Sequence, residues 1–104
     1  MLTFITDESE LLTKPNTFGI YFYSRALPLN HKKILIMIDK VIKKYKIPFY
    51  AVDIDSFKTL VKRFDLESVP TVIGFVNKKE KDRIVGVWLT KPFDKMFKDL
   101  IIGD

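Results

Sequence analysis

The 104-residue sequence contains no cysteine. That excludes disulfide staples, thiolate-bound structural zinc, cysteine nucleophiles and dithiol redox chemistry. Arginine occurs only three times, as Arg25, Arg63 and Arg83, so few side chains offer the planar fork that suits phosphate and base recognition. No uncharged run approaches the roughly 20 apolar residues of a membrane span, and residues 1–5 lack the basic start and long apolar core of a signal peptide. Glycine-rich phosphate loops, repeats and low-complexity segments are missing too. The four glycines and five prolines stand singly, and a chain of this length has material for one modest core. The expectation is one domain over residues 1–104, in the cytoplasm, without membrane attachment.

What is abundant is large apolar side chains and lysine. Nine Phe, four Tyr and one Trp within a 47% hydrophobic composition supply a core held by packing alone. The formal charge is +5, and fifteen of the eighteen basic residues are lysine. This charge permits nucleic acid as a partner, but no compact basic cluster interleaved with aromatics is visible, so a solvated lysine surface ranks ahead of a nucleic-acid site. The distribution of the lysines on the fold, scattered or striped, discriminates the two.

Residues 2–5 form a short strand candidate. Asp7 with Glu10 three residues on has the pattern of a capping box opening a short helix through Leu11 and Leu12, stopped by Pro15 and Asn16. Residues 18–23 are a continuous aromatic and β-branched run, which predicts a strand buried on both faces. Over 31–46, Ile34, Leu35, Ile38, Val41, Ile42 and Tyr45 share one face of a helix, leaving Ile36 and Met37 outside it. A strand over 47–54 and a helix over 56–65 follow. Residues 72–76 and 83–88 flank a polar run, 77–82, as in a hairpin. A last helix opens at Thr90, with Pro92 in its first turn, and buries Phe93, Met96, Phe97, Leu100 and Ile101. This β-α-β-α-β-α-β-β-α order predicts an α/β architecture, a mixed central sheet flanked by helices.

At that point the chain resembles the thioredoxin family over nearly its whole length. The segment Phe64-Asp65-Leu66-Glu67-Ser68-Val69-Pro70-Thr71 is similar to the aromatic-x-[VI]-x-x-[VI]-Pro-Thr run that enters the fourth strand in thioredoxins. Val52-Asp53-Ile54-Asp55 resembles the family's preceding strand end, and Gly86 sits where thioredoxins keep a glycine. The resemblance implies the thioredoxin fold and a cis peptide bond before Pro70. It also locates the missing cysteines. Thioredoxins place Cys-x-x-Cys after the aromatic strand at the head of the long helix; here the segment reads Tyr23-Ser24-Arg25-Ala26-Leu27-Pro28-Leu29-Asn30-His31. One register puts Ala26 and Leu29 at the cysteine positions, another Leu27 and Asn30, and neither contains a thiol. The family's buried proton-transfer acid would fall at about Ile20.

An emptied redox site leaves a binding surface, which by resemblance comprises Arg25, Ala26, Leu27, Pro28, Leu29, Asn30 and His31 together with Ser68, Val69, Pro70 and Thr71. The expected function is a non-catalytic, protein-binding adaptor or scaffold that takes an extended peptide segment, with no cofactor, no metal and no catalytic residue. The competing outcome is that Leu27 and Leu29 fold inward to fill the vacated space. Glutathione-handling relatives of the fold use a hydroxyl near this helix, which makes Ser24 the alternative catalytic residue; a plain turn residue bonding local backbone is the commoner role. His31 reads as a partly buried histidine with one hydrogen-bond partner. Asp53 and Asp55 point the same way from a strand and suggest a metal only until further ligands are sought; Asp55 reads as the cap of the following helix.

Overall fold

The aromatic run becomes the middle of a five-stranded sheet in the computed structural model of the chain, which describes residues 2–11, 16–28, 30–86 and 89–102. Strands β1 (Leu2–Phe4), β2 (Phe18–Tyr23), β3 (Phe49–Asp53), β4 (Thr71–Val76) and β5 (Lys79–Val85) lie in the order β1-β3-β2-β4-β5. The first three are parallel, and β4 runs antiparallel to both β2 and β5. Helices α1 (His31–Tyr45) and α3 (Thr90–Ile102) cover one face and α2 (Lys58–Arg63) the other. A 3₁₀ turn, Glu8–Leu11, follows β1. This order of elements is the one the sequence predicts.

Strand alternation divides the core in two. Tyr21, Phe49, Ala51 and Val72 pack beneath α1 and α3, against Ile34, Ile38 and Phe97 among others. Ile20, Phe22, Val52, Ile73 and Phe75 face α2 and its Leu60. β2 feeds both layers, which is why its sequence shows no polar alternation. Gly19 and Gly74 are needed on the α1/α3 side: a Cβ on Gly19 would stand 2.5 Å from the Phe49 ring, and one on Gly74 2.5 Å from Leu100 Cδ1.

Several boundaries move for identifiable reasons. The polar run 77–82 is mostly strand. Asn77 and Lys78, both at positive φ (53° and 64°), make a two-residue reversal, and β5 begins at Lys79. An edge strand has one side open to water, so charged residues can pair inward and stay solvated outward. β5 ends before Gly86 at φ 69°; Val87 and Trp88 lie outside the described residues, as do Leu12 and Pro15. Ile101 is 46% exposed rather than buried, because it projects about 90° from the centre of the stripe formed by Phe93, Met96, Phe97 and Leu100. Of the two residues outside the apolar arc of α1, Met37 is buried in the layer shared with α3 and Ile36 is 58% exposed. The first helix is only a 3₁₀ turn, yet its cap has the predicted form: Glu10 Oε1 accepts from Thr6 N, Asp7 N and Thr6 Oγ1, and Asp7 Oδ1 accepts from Ser9 N. Those bonds hold both carboxyls below their ordinary pKa, the Ser9 N–H acting most on Asp7 and the Thr6 N–H most on Glu10.

Candidate functional site

The parallel strands β2 and β3 end side by side at Tyr23 and Asp53. The chain leaving β2 must cross this rim before α1 starts, and two carboxylates, one ending β3 and one just past it, hold it there. Asp53, 8% exposed, accepts from Arg25 N and Asp55 N through Oδ1 (3.2 and 3.1 Å) and from Ser56 Oγ through Oδ2 (3.2 Å). The Arg25 guanidinium lies 3.6 Å from Asp53 Oδ2. Asp55 Oδ2 accepts from the Ser24 hydroxyl at 2.7 Å and from Ala26 N at 3.0 Å. The Ala26 N–H foremost, then the Ser24 hydroxyl, holds the Asp55 carboxyl below its ordinary pKa.

This arrangement corrects one expectation. Asp55 does not cap α2, which starts after Phe57 with no side-chain cap bond; the carboxylate reaches back to the 24–26 loop instead. The Ser24 hydroxyl is 5% exposed, donates to Asp55 and accepts from Leu27 N at 3.2 Å, the local backbone bond expected of a turn residue. It is the turn residue its sequence context suggests. His31 does not meet Ser24. The Tyr21 hydroxyl lies 2.8 Å from His31 Nδ1, and the imidazole is stacked on the Tyr21 ring and tilted against that of Tyr23, at centroid distances of 5.7 and 4.7 Å. Burial, reinforced by the neighbouring Tyr23, pushes the Tyr21 pKa up, so the hydroxyl stays protonated through neutral pH. Burial, with the charge of Asp53 adding to it, also raises Tyr23. Ile20 belongs to the layer facing α2, so the β2 residue beneath the head of α1 is Tyr21. The aromatic base under His31 was legible only as "strand", because nothing in the run 18–23 tells which ring lies under a helix start.

The second loop stands beside the first. The antiparallel pairing of β2 with β4 ends at Phe22↔Thr71, so the chain entering β4 reaches the sheet at the end where β2 stops. The Val69–Pro70 peptide bond is cis. Thr71 Oγ1 donates to Ser68 O, and Gly86 N donates to Pro70 O at 2.7 Å. The backbone N–H and C=O of Val69 have no partner among the described residues. Of the expected surface, Pro70 and Thr71 are buried, Val69 and His31 half-buried, and Arg25, Ala26, Pro28, Asn30 and Ser68 exposed. Leu27 points outward, 65% exposed, so it does not fill the interior; Leu29 lies outside the described residues. Val85, paired with Thr71 and 49% exposed, adds an apolar side chain that the sequence reading assigned to a strand without a role. The described residues hold no helix long and apolar enough to cross a membrane.

Among solved structures, a mutant thioredoxin from Halobacterium salinarum superimposes with a TM-score of 0.83 over 95% of this chain and 89% of its own, at 11% identity. The oxidised thioredoxin of Plasmodium falciparum gives 0.83 at 17% identity (95% and 97% covered), and thioredoxin O2 from Arabidopsis thaliana 0.80 at 24% (93% and 92% covered). No protein-family model and no curated protein sequence matches the chain. The chain has the thioredoxin fold. It carries that fold with no cysteine at all.

Proposed function

We propose that the protein is a non-catalytic, thioredoxin-like binding module that captures an extended segment of another protein across the tips of residues 25–31 and 68–71. The observation that carries the reading is the N–H and C=O of Val69, unpaired among the described residues, with the exposed Leu27 and Val85 at the same end of the sheet. Free main-chain groups beside apolar side chains suit strand-like capture, in which backbone bonds hold the segment and pockets select its side chains. An exposed apolar set at the end of a sheet marks an interaction surface more often than a solvent face.

The test compares affinity purification with the wild-type chain and with Leu27→Asp and Val69→Asp, each checked for an unchanged melting temperature. Loss of the retained protein in both folded variants supports the reading. Retention of the same proteins by both variants refutes it.

A further inference from the structure

We propose that the face built by α1 and α3 is a docking surface for double-stranded DNA, held through its phosphates by lysines and without regard to base sequence. α1 carries five lysines against one aspartate, and α3 three lysines against two aspartates. The two helices therefore hold the whole formal charge of +5, and the rest of the chain balances at ten basic and ten acidic residues. All eight helical lysines are exposed. The lysines are concentrated on one face, the distribution that separates a polyanion surface from an even solvated coat.

Local pairing leaves most of this charge uncompensated. Asp39 lies 3.0 Å from Lys43, Asp94 3.5 Å from Lys44 and Asp99 2.8 Å from Lys95, so each aspartate on the two helices is matched by one lysine. Lys32, Lys33, Lys40, Lys91 and Lys98 have no ion-pair partner among the described residues. Helical spacing puts Lys33, Lys40 and Lys44 in one line along α1, about 16 Å long, and Lys91, Lys95 and Lys98 in one line along α3, about 10 Å long. All of these but Lys33 line the cleft between the two helices. At its base Met37, Val41 and Phe93 are 4%, 2% and 1% exposed, so an occupant meets lysine and not an apolar floor.

The chemistry selects the occupant. A duplex carries one negative charge per about 1.7 Å of axis, so a length equal to the α1 line presents about nine phosphates, enough for every unpaired lysine. A single strand is held largely by bases stacked on exposed rings. Among the described residues neither helix offers one: Phe93 and Phe97 are buried, and Lys44 Nζ stands over the Tyr45 ring at 5.2 Å. RNA is told from DNA by hydrogen bonds to its 2′-hydroxyls, and the three carboxylates that could accept from them are already engaged by lysines. Helices that lie on a bilayer bury an apolar face in it, whereas the apolar stripes of α1 and α3 are packed into the core. No arginine stands on either helix, so the bidentate reading of guanine is missing and the grip is blind to sequence.

The experiment titrates the full chain into fluorescein-labelled DNA duplexes of about 20 base pairs, in two unrelated sequences, and follows anisotropy from about 50 to 300 mM salt. Three to five phosphate contacts give a slope of log K against log salt of about −3 to −4.5, the same for both sequences. Lys40→Gln/Lys91→Gln/Lys98→Gln should weaken binding at low salt at least about tenfold and flatten the slope by about 2–3. Lys58→Gln/Lys62→Gln/Lys79→Gln removes the same charge from α2 and β5 and should bind within about threefold of the wild type. Amide resonances over 33–44 and 90–99 should shift on addition of the duplex to the wild-type chain, a readout that stands even if a variant fails to fold. Equal weakening in the two folded triple variants overturns the proposal, because net charge and not its place would then account for binding. Shifts confined to other amides, or no binding at the lowest salt, overturn it too. So does tighter binding of single-stranded DNA, duplex RNA, a poly-glutamate peptide or phosphatidylserine vesicles than of the DNA duplex.

Discussion

Replacing Ser24 by alanine removes one buried oxygen from the rim between β2 and β3 and little volume. Two hydrogen bonds are lost, the donation to Asp55 Oδ2 and the acceptance from Leu27 N. An intramolecular hydrogen bond contributes about 0.5–1.5 kcal/mol net. Neither remaining partner is stranded: Asp55 is open to water, and Leu27 N also reaches the Ser24 carbonyl at 3.2 Å. The expected destabilisation is therefore about 1–3 kcal/mol in sum, without an added penalty for orphaned groups. In a chain of this size that corresponds to a fall in melting temperature of about 4–24 °C. Thermal denaturation followed by circular dichroism measures it, and amide hydrogen exchange at Ala26 and Leu27 reports whether the loop itself has loosened. Acid supplies a second axis. The folded pKa of Asp55 is depressed, so its bonds contribute fully above the unfolded value and are lost as pH falls through the folded one. The gap between wild type and Ser24→Ala should narrow below about pH 4. An unchanged melting temperature with unchanged exchange at both amides would refute the clip, and so would a gap that widens in acid.

Two further substitutions probe the frame that carries the tip. Gly19→Ala drives a Cβ to within 2.5–2.8 Å of three atoms of the fully buried Phe49 ring and should destabilise by about 1–3 kcal/mol, partly recovered by Phe49→Leu. Gly74→Ala meets chiefly the end of the flexible Leu100 side chain and should cost less; equal losses in denaturant titrations would contradict the packing described. Lys78→Gly relieves a left-handed residue in the β4–β5 reversal, while keeping the N–H that donates to Asn16 O, and should raise stability by about 0.5–1 kcal/mol. A lower melting temperature for that variant would count against the turn geometry.

The fold was legible because the signals lay within single elements: the unbroken apolar run of β2, the helical spacing of Ile34, Ile38 and Val41, and the order of elements. The edge strand β5 was misjudged because its side chains, Lys79 to Asp82, face water, so polarity reported exposure rather than chain shape. The site was legible by place more than by chemistry. Leu27 and Val69 were found because they flank recognisable motifs, whereas the roles of Asp53 and Asp55 depend on a loop some 28 to 31 residues earlier in the chain. Spacing in one strand carries no trace of that contact.

The tip loop is tied down by oxygen and nitrogen atoms alone, through Ser24, Asp53 and Asp55. Its shape is therefore the same in oxidising and in reducing surroundings, and no electron transfer can loosen it. A loop held this way is blind to thiol balance and answers instead to protonation of the Asp55 carboxyl that grips it.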